Sequence, residues 1–346
     1  MGCDPMKTRH TIVSILSVLA AIGSPSGALA HGAAGGDDLL PGEFRIRPVV
    51  TLEGHAGLEN NLEGQPRHYA IDGLFGAVFE WGLDKGGSFA IEAQIGPALV
   101  WGEAEHFYGR VHVDGHGGSA HHDDHEDSDD EHGEDHDDGH EDDHGAHHSE
   151  SHSAGHDHAH GDGSPYRRTD VKGYLQARYQ PNDRFELSLT WWPYYVTGNQ
   201  GDDVIGLKNE VGVQAIWALG DGDVNFALGD GLETIVDGVF ISLENRTGWE
   251  SEGTYLGNYT DPWLGLGFNI DLLNITLSAG PRFYSPGSYS GLPFRTDWGG
   301  EIELEYPLAE SVVVFAHWKP IYSSQGGDGW GVGWQHHIGT GVSLSF

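Results

Sequence analysis

Apolar residues alternate with small or polar residues along most of the chain, which is the period of a β-strand with two different faces. Twelve stretches carry their apolar residues on one face, as Phe75, Phe79 and Trp81 do in the second. The sequence therefore predicts an all-β, antiparallel fold of about 12 strands. The predicted strands are 43–53, 68–81, 88–102, 166–180, 184–197, 204–219, 234–246, 262–271, 273–284, 294–306, 311–323 and 334–346. Residues 224–238 also fit a loop or a short helix, which leaves a range of roughly 10 to 14 strands.

The connections between the predicted strands alternate between short and long. The tight turns are "LDKGG", "PND", "GDGD", "DLLN" and "LAE". The longer segments are 54–67, 103–165, 198–203, 247–261, 285–293 and 324–333. This alternation is typical of transmembrane β-barrels, whose short turns face the periplasm and whose long loops face outward. A secreted β-sandwich or jelly roll also alternates, and the pattern leaves that alternative open.

The last predicted strand, "QHHIGTGVSLSF", favours the barrel. Its outward face carries Trp334, His336, Ile338, Thr340, Val342, Leu344 and Phe346. Its other face carries only small or polar residues. A closing strand that ends in Phe resembles the C-terminal signature of Gram-negative outer-membrane β-barrel proteins. The resemblance implies a transmembrane barrel over residues 43–346, in contact with outer-membrane lipid and recognised by the barrel-assembly machinery through this strand.

The beginning of the sequence predicts export. Lys7 and Arg9 precede an apolar run at residues 11–23, and "GALA" follows it, which is the pattern of a secretory signal peptide cleaved after Ala30. The run is too short for a membrane-spanning helix. We therefore expect residues 1–30 to be a signal peptide and residues 31–42 a leader. The single Cys lies before the apolar run, so no disulfide or thiolate site is expected after cleavage.

The faces opposite the apolar ones would point into the barrel, and they carry charge. The predicted pore-lining residues are Arg45, Arg47, Arg168, Lys172, Arg178, Arg295, Asp297, Glu301, Glu303 and Glu305. In a 12-stranded barrel the fourth and tenth strands lie opposite each other. A basic wall would then face an acidic wall and create a field across the lumen. The alternative is a barrel whose inward charges pair with one another and close it.

One predicted connection, residues 105–165, differs in composition from the rest of the chain. Residues 112–162 contain fifteen of the 23 His and eighteen of the 53 acidic residues, while residues 111–166 contain neither Lys nor Arg. Such a segment cannot bury a core, so we expect it to be disordered without a ligand. The alternation of turns and loops predicts that it is extracellular.

The His residues of this segment predict metal binding. A His recurs at every fourth position from His132 to His160, and residues four apart share one face of a helix. Imidazole with carboxylate, and without thiolate, suits Zn, Ni or Cu(II). The candidate ligands are His112, His116, His121, His122, His125, His132, His136, His140, His144, His147, His148, His152, His156, His158 and His160. An acidic loop that only maintains solubility, or a repeat without a selected role, are the alternatives. By contrast, His317 and His337 are expected to be single inward-facing residues that fill the lumen.

Three functions are compatible with these features. The composition of the loop resembles that of metal-scavenging outer-membrane proteins with His-rich loops, whose barrels are much larger. This implies a loop that concentrates divalent metal above a polar lumen through which small solutes pass. The second possibility is a general or solute-selective porin with an incidental loop. The third is a membrane-embedded hydrolase, but the outward-facing His336 has no evident Ser partner, so no enzymatic activity is expected. No nucleic-acid partner and no structural cofactor are expected.

Overall fold

A computed structural model describes residues 39–60, 67–102, 166–197, 206–225, 235–250, 253, 255–287, 294–325 and 332–346. The strands within these residues are β1 (Phe44–Glu59), β2 (Arg67–Gly82), β3 (Ser88–Gly102), β4 (Tyr166–Asn182), β5 (Phe185–Val196), β6 (Gly206–Ala218), β7 (Asp223–Asn225), β8 (Ile235–Glu250), β9 (Tyr255–Ile270), β10 (Leu273–Pro286), β11 (Arg295–Ala309), β12 (Val312–Ser323) and β13 (Gly333–Ser345). Nowhere in these ranges does a helix have the length and apolar character needed to cross a membrane. The predicted signal peptide, most of the leader and the predicted His-rich loop lie outside the described residues.

Twelve strands close into an antiparallel barrel. Strands β1 to β6 and β8 to β13 pair with their neighbours in the chain, and the pairings of β6 with β8 and of β13 with β1 complete the ring. At the closure, Leu52 of β1 lies opposite Val342 of β13. The short strand β7 adds to β8 at one end of the barrel. The predicted all-β, 12-stranded barrel is confirmed.

The barrel exposes many large apolar side chains on its outside and buries most of its charged strand residues inside, beside apolar groups such as Val49 and Leu74. Ile95 and Leu264 are 62% and 60% exposed, whereas Glu92 and Asp297 are each 1% exposed. A soluble protein buries apolar groups instead, because water favours charged groups at its surface. An apolar outer surface around a polar interior is the arrangement that lipid contact requires. The structure therefore disfavours the soluble β-sandwich.

The short connections agree with the prediction at four positions. They lie at residues 83–87, 183–184, 271–272 and 310–311, all at the same end of the barrel, which we call the turn end. Asp271 adopts φ 53°, a left-handed conformation that Asp tolerates in tight turns. The opposite end, where β3 ends and β4 begins, is called the loop end.

Several strands are longer than predicted, β1 and β9 by the most, and one turn was predicted wrongly. β1 continues beyond residue 53 to Glu59, and β9 begins at Tyr255 instead of residue 262. Glycine and polar residues interrupt the apolar alternation there, but β1 still pairs along its length with β13 as far as Glu59. The "GDGD" stretch does not join two barrel strands tightly. It leads into β7, whose Val224 is buried in an apolar cluster with Phe240.

The barrel consists of two six-stranded halves, β1–β6 and β8–β13, with the same register. The bounds of β5 and β12 differ by 127 residues at both ends, as do those of β6 and β13. Glu53 lies opposite Asp72 in the first half, and Glu244 lies opposite Asp261 in the second. We call two residues equivalent when they occupy the same position in the two halves.

The sequence retains traces of this internal repeat. "RTD" begins at Arg168 in β4 and at Arg295 in β11. "TLEGHAGLE" at residues 51–59 corresponds to "SLENRTGWE" at residues 242–250. The halves meet at two junctions, one formed by β12, β13 and β1 and the other by β5, β6 and β8. Several equivalent positions at these junctions carry different side chains, such as His55 and Arg246, and there the two halves differ in chemistry.

Candidate functional site in the barrel interior

The structure places the ten predicted pore-lining side chains on the inward face of the barrel wall. Arg168, Arg178, Arg295, Asp297, Glu303 and Glu305 are buried, and Arg45, Arg47, Lys172 and Glu301 are half-buried. Their neighbours along the strands, such as Val171 and Leu304, are exposed on the apolar outer surface. The burial of these side chains agrees with the face that alternation predicts, while their lining of a permeation path stays a prediction.

Basic residues of the first half pair with acids on adjacent strands. Arg45 and Arg47 both contact Oε2 of Glu80, at 3.1 and 2.9 Å. The Lys172 ammonium lies 2.7 Å from Oδ2 of Asp72. These pairs connect β1 to β2 and β4 to β2 around the interior of the barrel. The acids Glu80 and Asp72 were not among the predicted residues.

Local pairing weakens the predicted field between a basic and an acidic wall. The sheet order does place β4 and β11 six strands apart in the ring. However, Arg178 of β4 contacts Glu92 of β3 at 2.9 Å, and Glu301 of β11 lies 3.3 Å from Lys319 of β12. Because charges on neighbouring strands neutralise each other, less net charge remains to act across the lumen. The sequence shows the charge of each strand but not which side chains reach a partner.

A buried network lies near the loop end of β4. Nε of Arg168 donates to Oδ2 of Asp170 at 2.5 Å, and the hydroxyl of Tyr194 donates to the same oxygen at 2.9 Å. The backbone N–H of Thr197, which follows β5, donates to Oδ1 at 3.0 Å. The carboxylate thereby connects the loop ends of β4 and β5.

The equivalent network occurs at the loop end of β11. Nε of Arg295 donates to Oδ2 of Asp297 at 2.7 Å, and the backbone N–H of Ser324 donates to Oδ1 at 3.1 Å. The Arg295 guanidinium also lies over the ring of Tyr284, 4.0 Å from its centroid. The Arg-Thr-Asp motif therefore performs the same structural role in both halves.

An arginine occupies the junction of β5, β6 and β8. Arg246 of β8 forms ion pairs with Glu244 of the same strand and with Glu210 of β6, the latter at 3.1 Å. Its guanidinium lies over the Trp192 ring at 4.1 Å from the centroid, which is a cation–π contact. A fixed positive charge thus holds two carboxylates at this junction.

The second half also contains a bidentate pair and a small cavity. Arg282 of β10 donates to both carboxylate oxygens of Asp261, with the shortest contact at 2.6 Å. A cavity of about 40 Å³ lies nearby inside the wall. It is lined by Gln214, Phe240, Ser242, Glu244, Asp261, Trp263, Thr276, Ser278, Glu301 and Glu303. Four of these side chains are carboxylates, and three of the four form ion pairs with Arg246, Arg282 or Lys319.

The equivalent junction of β12, β13 and β1 carries histidines. One ligand atom from each of Glu53, His317 and His337 lies within 4.8 Å of the other two. Nε2 of His317 is 3.6 Å from Oε1 of Glu53, and the His317 and His337 rings stack with centroids 5.3 Å apart. His55 adds a third imidazole, whose ring centroid lies 5.2 Å from that of His337. The expectation that His317 and His337 are single fillers is therefore wrong, because the barrel brings them together.

The outward-facing His336 belongs to an aromatic cluster. Nε1 of Trp318 donates to its Nδ1 at 3.3 Å, and the Trp334 ring stacks on it at 6.1 Å. Amphipathic aromatic side chains of this kind form girdles at the borders of a lipid-facing surface. The contacts of His336 are therefore those of a girdle residue.

The sequence analysis missed most of the acids that hold the predicted cations. Unpredicted ionisable residues of the interior include Glu53, His55, Asp72, Glu80, Glu92, Glu186, Lys208, Glu210, Glu244, Arg246, Asp261, Arg282 and Lys319. Two signals could have found them. The polar alternation of β1 continues past residue 53, and the internal repeat aligns Glu53 with Glu244 and Asp72 with Asp261. The fifteen His predicted as loop ligands lie outside the described residues.

Comparison with known proteins finds one partial family match and several distant structural similarities. Residues 226–346 match a family model described as a cyanophage outer membrane protein like beta barrel domain, which is less than half of the chain. No curated protein matches this chain.

Among solved structures, an outer membrane channel from Pseudomonas putida F1 has a TM-score of 0.47 and 11% identity to this chain. The match covers 90% of this chain and 98% of the other. The NanC porin has a TM-score of 0.38 and 8% identity, with coverages of 86% and 100%. The translocator domain of autotransporter NalP from Neisseria meningitidis has a TM-score of 0.37 and 10% identity, with coverages of 90% and 90%.

All three TM-scores are below 0.5, so these similarities carry no argument about this chain. The closed barrel of twelve strands is established by its own strand pairings. What passes through this barrel, or binds to it, has to be argued from its own residues.

Proposed function

We propose that this protein is a channel of a Gram-negative outer membrane, and that it passes small polar solutes or hydrated cations. The proposal depends on one observation, the reversed polarity of the barrel wall. Charged side chains such as Glu92, Arg178 and Asp297 are buried within a ring of strands whose outer face is apolar. Lipid requires the apolar outer face, and a polar interior offers hydrated solutes a path that hydrocarbon does not.

The charge of the interior favours cations over anions. Glu244, Asp261, Glu301 and Glu303 surround the cavity of the second half. Lumen charges of one sign raise the local concentration of ions of the opposite sign. Arg246, Arg282 and Lys319 neutralise much of this charge through their pairs with Glu244, Asp261 and Glu301, so the preference should be moderate rather than strict.

Planar-bilayer recording of the purified full-length protein tests this proposal. A salt gradient across the bilayer should produce discrete conductance steps and a reversal potential of the sign expected for cation preference. Protein that is folded and inserted but produces no steps would contradict the channel and favour the barrel closed by its own ion pairs.

We further propose that residues 105–165 collect Zn, Ni or Cu ions at the extracellular end of the channel. The composition of the segment supports this, because it joins imidazoles and carboxylates without a basic residue from 111 to 166. The topology supports it as well, because Gly102 and Tyr166, which flank the segment, both lie at the loop end.

Deletion of residues 114–162 separates metal collection from simple passage. The shortened protein should retain its conductance, because the barrel strands are intact. Cells that carry it should grow less well than the parent when Zn or Ni is limiting. If neither conductance nor metal-limited growth changes, the protein is a porin whose His-rich segment is incidental.

A further inference from the structure

Two glycines open the inner face of β13 at the junction with β1 and β12. Gly339 pairs with His317 on one side and with His55 on the other, and Gly341 pairs with Glu53. Strands β1 and β12 are two strand spacings apart, about 9.6 Å. Their side chains can meet only where the strand between them offers no side chain of its own.

The glycine at position 339 leaves room for two potential ligands. A Cβ atom there would overlap the imidazole of His317 and lie 2.6 Å from Oε1 of Glu53. These two side chains are consequently close enough to act together, with Nε2 and Oε1 separated by 3.6 Å. In a tetrahedral site with metal–ligand bonds of about 2.1 Å, neighbouring donor atoms are about 3.4 Å apart. The observed separation is near that value.

We propose that Glu53, His317 and His337 bind a divalent transition metal ion inside the barrel wall, with Zn, Ni or Cu as the class of ligand. Two imidazoles and one carboxylate form a common three-residue set for Zn, which leaves a fourth position for water or another ligand. The set contains no thiolate and only one carboxylate oxygen donor, so it suits these metals better than Ca or Mg.

At the opposite junction of the barrel, an arginine carries the positive charge that a metal ion would supply at the His junction. There Glu244 is equivalent to Glu53, and Glu210 is equivalent to His337. Arg246 holds both carboxylates with its guanidinium. At the His junction the position of Arg246 is occupied by His55. A divalent ion bound to neutral imidazoles and Glu53 would provide the positive charge that Arg246 provides at the other junction.

Neighbouring groups hold the histidines in place. Nε2 of His55 lies 3.4 Å from Oδ2 of Asp72, and Lys172 contacts the same oxygen. The Phe315 ring stacks on His317 at 6.4 Å. His55 is not one of the three proposed ligands, but its ring contacts that of His337. Neighbours that orient metal ligands before the metal arrives lower the cost of binding.

The inferred site rests on the proposed function for its supply of metal, because an ion reaches it by way of the lumen. It is distinct from the proposed metal collection by residues 105–165. The two can be separated in the full-length chain by replacing the fifteen His of residues 112–160 with Asn. This loop-silent chain keeps the acids of the segment and all barrel residues.

The experiment compares the loop-silent chain with His317→Asn and His337→Asn variants made in it. Equilibrium dialysis should show one Zn site in the loop-silent chain. Each of the two variants should lower the Zn affinity of that site by at least about tenfold. The electron paramagnetic resonance spectrum of bound Cu(II) should show nitrogen coupling that both variants lose. The matched control is His336→Asn, which alters the outward imidazole next to His337 and should change neither result. Equal Zn binding and equal Cu(II) spectra in all four proteins would overturn the site.

A transplant variant controls for folding. His55→Arg, His317→Thr and His337→Glu together install the side chains of the opposite junction, Arg246, Thr190 and Glu210. This protein should fold to a heat-modifiable barrel and lack the Zn site. If bilayers show no channels but the variants still lose Zn, the channel proposal fails and the site stands. If channels form and Zn binding is unaffected, the site fails and the channel stands.

Discussion

Asp170 of β4 and Asp297 of β11 occupy equivalent positions on opposite sides of the barrel and accept the same kinds of hydrogen bond. Each carboxylate accepts from the Arg two residues earlier, at 2.5 and 2.7 Å, and from a backbone N–H that follows the neighbouring strand, at 3.0 and 3.1 Å. Each is almost fully buried. The two networks therefore stabilise the loop end of the barrel at two opposite points.

The equivalence predicts that Asp170→Asn and Asp297→Asn destabilise the barrel to a similar extent. Each change removes the negative charge that a buried Arg contacts, and breaking a buried ion pair typically costs about 3–5 kcal/mol. Urea unfolding of the protein reconstituted in lipid vesicles measures the loss. Thr169→Val and Thr296→Val, at exposed outward positions between the motif residues, should have little effect. A large loss for one Asp variant and none for the other would show that the two networks are not equivalent.

The apolar outer surface predicts recovery of the protein in the outer-membrane fraction. Because a closed barrel resists detergent until it is heated, unheated and heated samples should migrate differently on denaturing gels. Fractionation and gel migration of the expressed protein check both expectations. A soluble periplasmic protein without heat-modifiable migration would contradict the membrane assignment.

Removing carboxylates from β11 should reduce the preference for cations. Glu301→Gln, Glu303→Gln and Glu305→Gln together take three negative charges from the interior and leave the size of the side chains unchanged. The reversal potential in a salt gradient should move toward that of a non-selective pore. Glu310→Gln, in the turn that connects β11 to β12, is the matched control and should leave the potential unchanged. An unaltered potential in the triple variant would place the selective charge elsewhere.

A peptide of residues 112–160 should bind several Zn or Ni ions with modest affinity at each, because a flexible chain loses conformational entropy on binding. Replacing His132, His136, His140, His144 and His148 with Asn keeps the acids and removes the central nitrogens. This variant should lose most Zn and Ni binding but keep weak Ca binding, as measured by titration calorimetry. Equal Zn binding by both peptides would mean that the carboxylates alone attract the metal.

Metal binding by this peptide should weaken as the pH falls. Only neutral imidazole is a ligand, so protons compete with the metal, and the loss should occur around pH 6.5, the ordinary pKa of His. The dense acids favour imidazolium and should raise that midpoint. Calorimetric titrations at a series of pH values measure the midpoint. Binding that remains constant from pH 7.5 to about 5 would exclude imidazole as the main ligand.

Much of the fold follows from a local property of the sequence. Successive side chains of a strand point to opposite faces, so alternation alone identifies both the strands and the inward side of each. Arg178 and Glu305 were placed on the inner face for this reason without any knowledge of their neighbours. The prediction failed where alternation weakens, as at the end of β1, where pairing with β13 extends the strand to Glu59. It also failed at β7, which is too short for a periodic signal.

What the sequence alone determined is therefore the class of fold, an approximate number of barrel strands and a face for the charged residues in strands with clear alternation. The tertiary structure decided which charges meet. Moving one strand past another by two residues keeps every side chain on the same face, so alternation does not define the register to that precision. Ring closure places β1 beside β13, and the observed register brings Glu53 opposite Gly341 and His55 opposite Gly339. The candidate metal site joins the first and the last strands of the barrel, and only their pairing creates it.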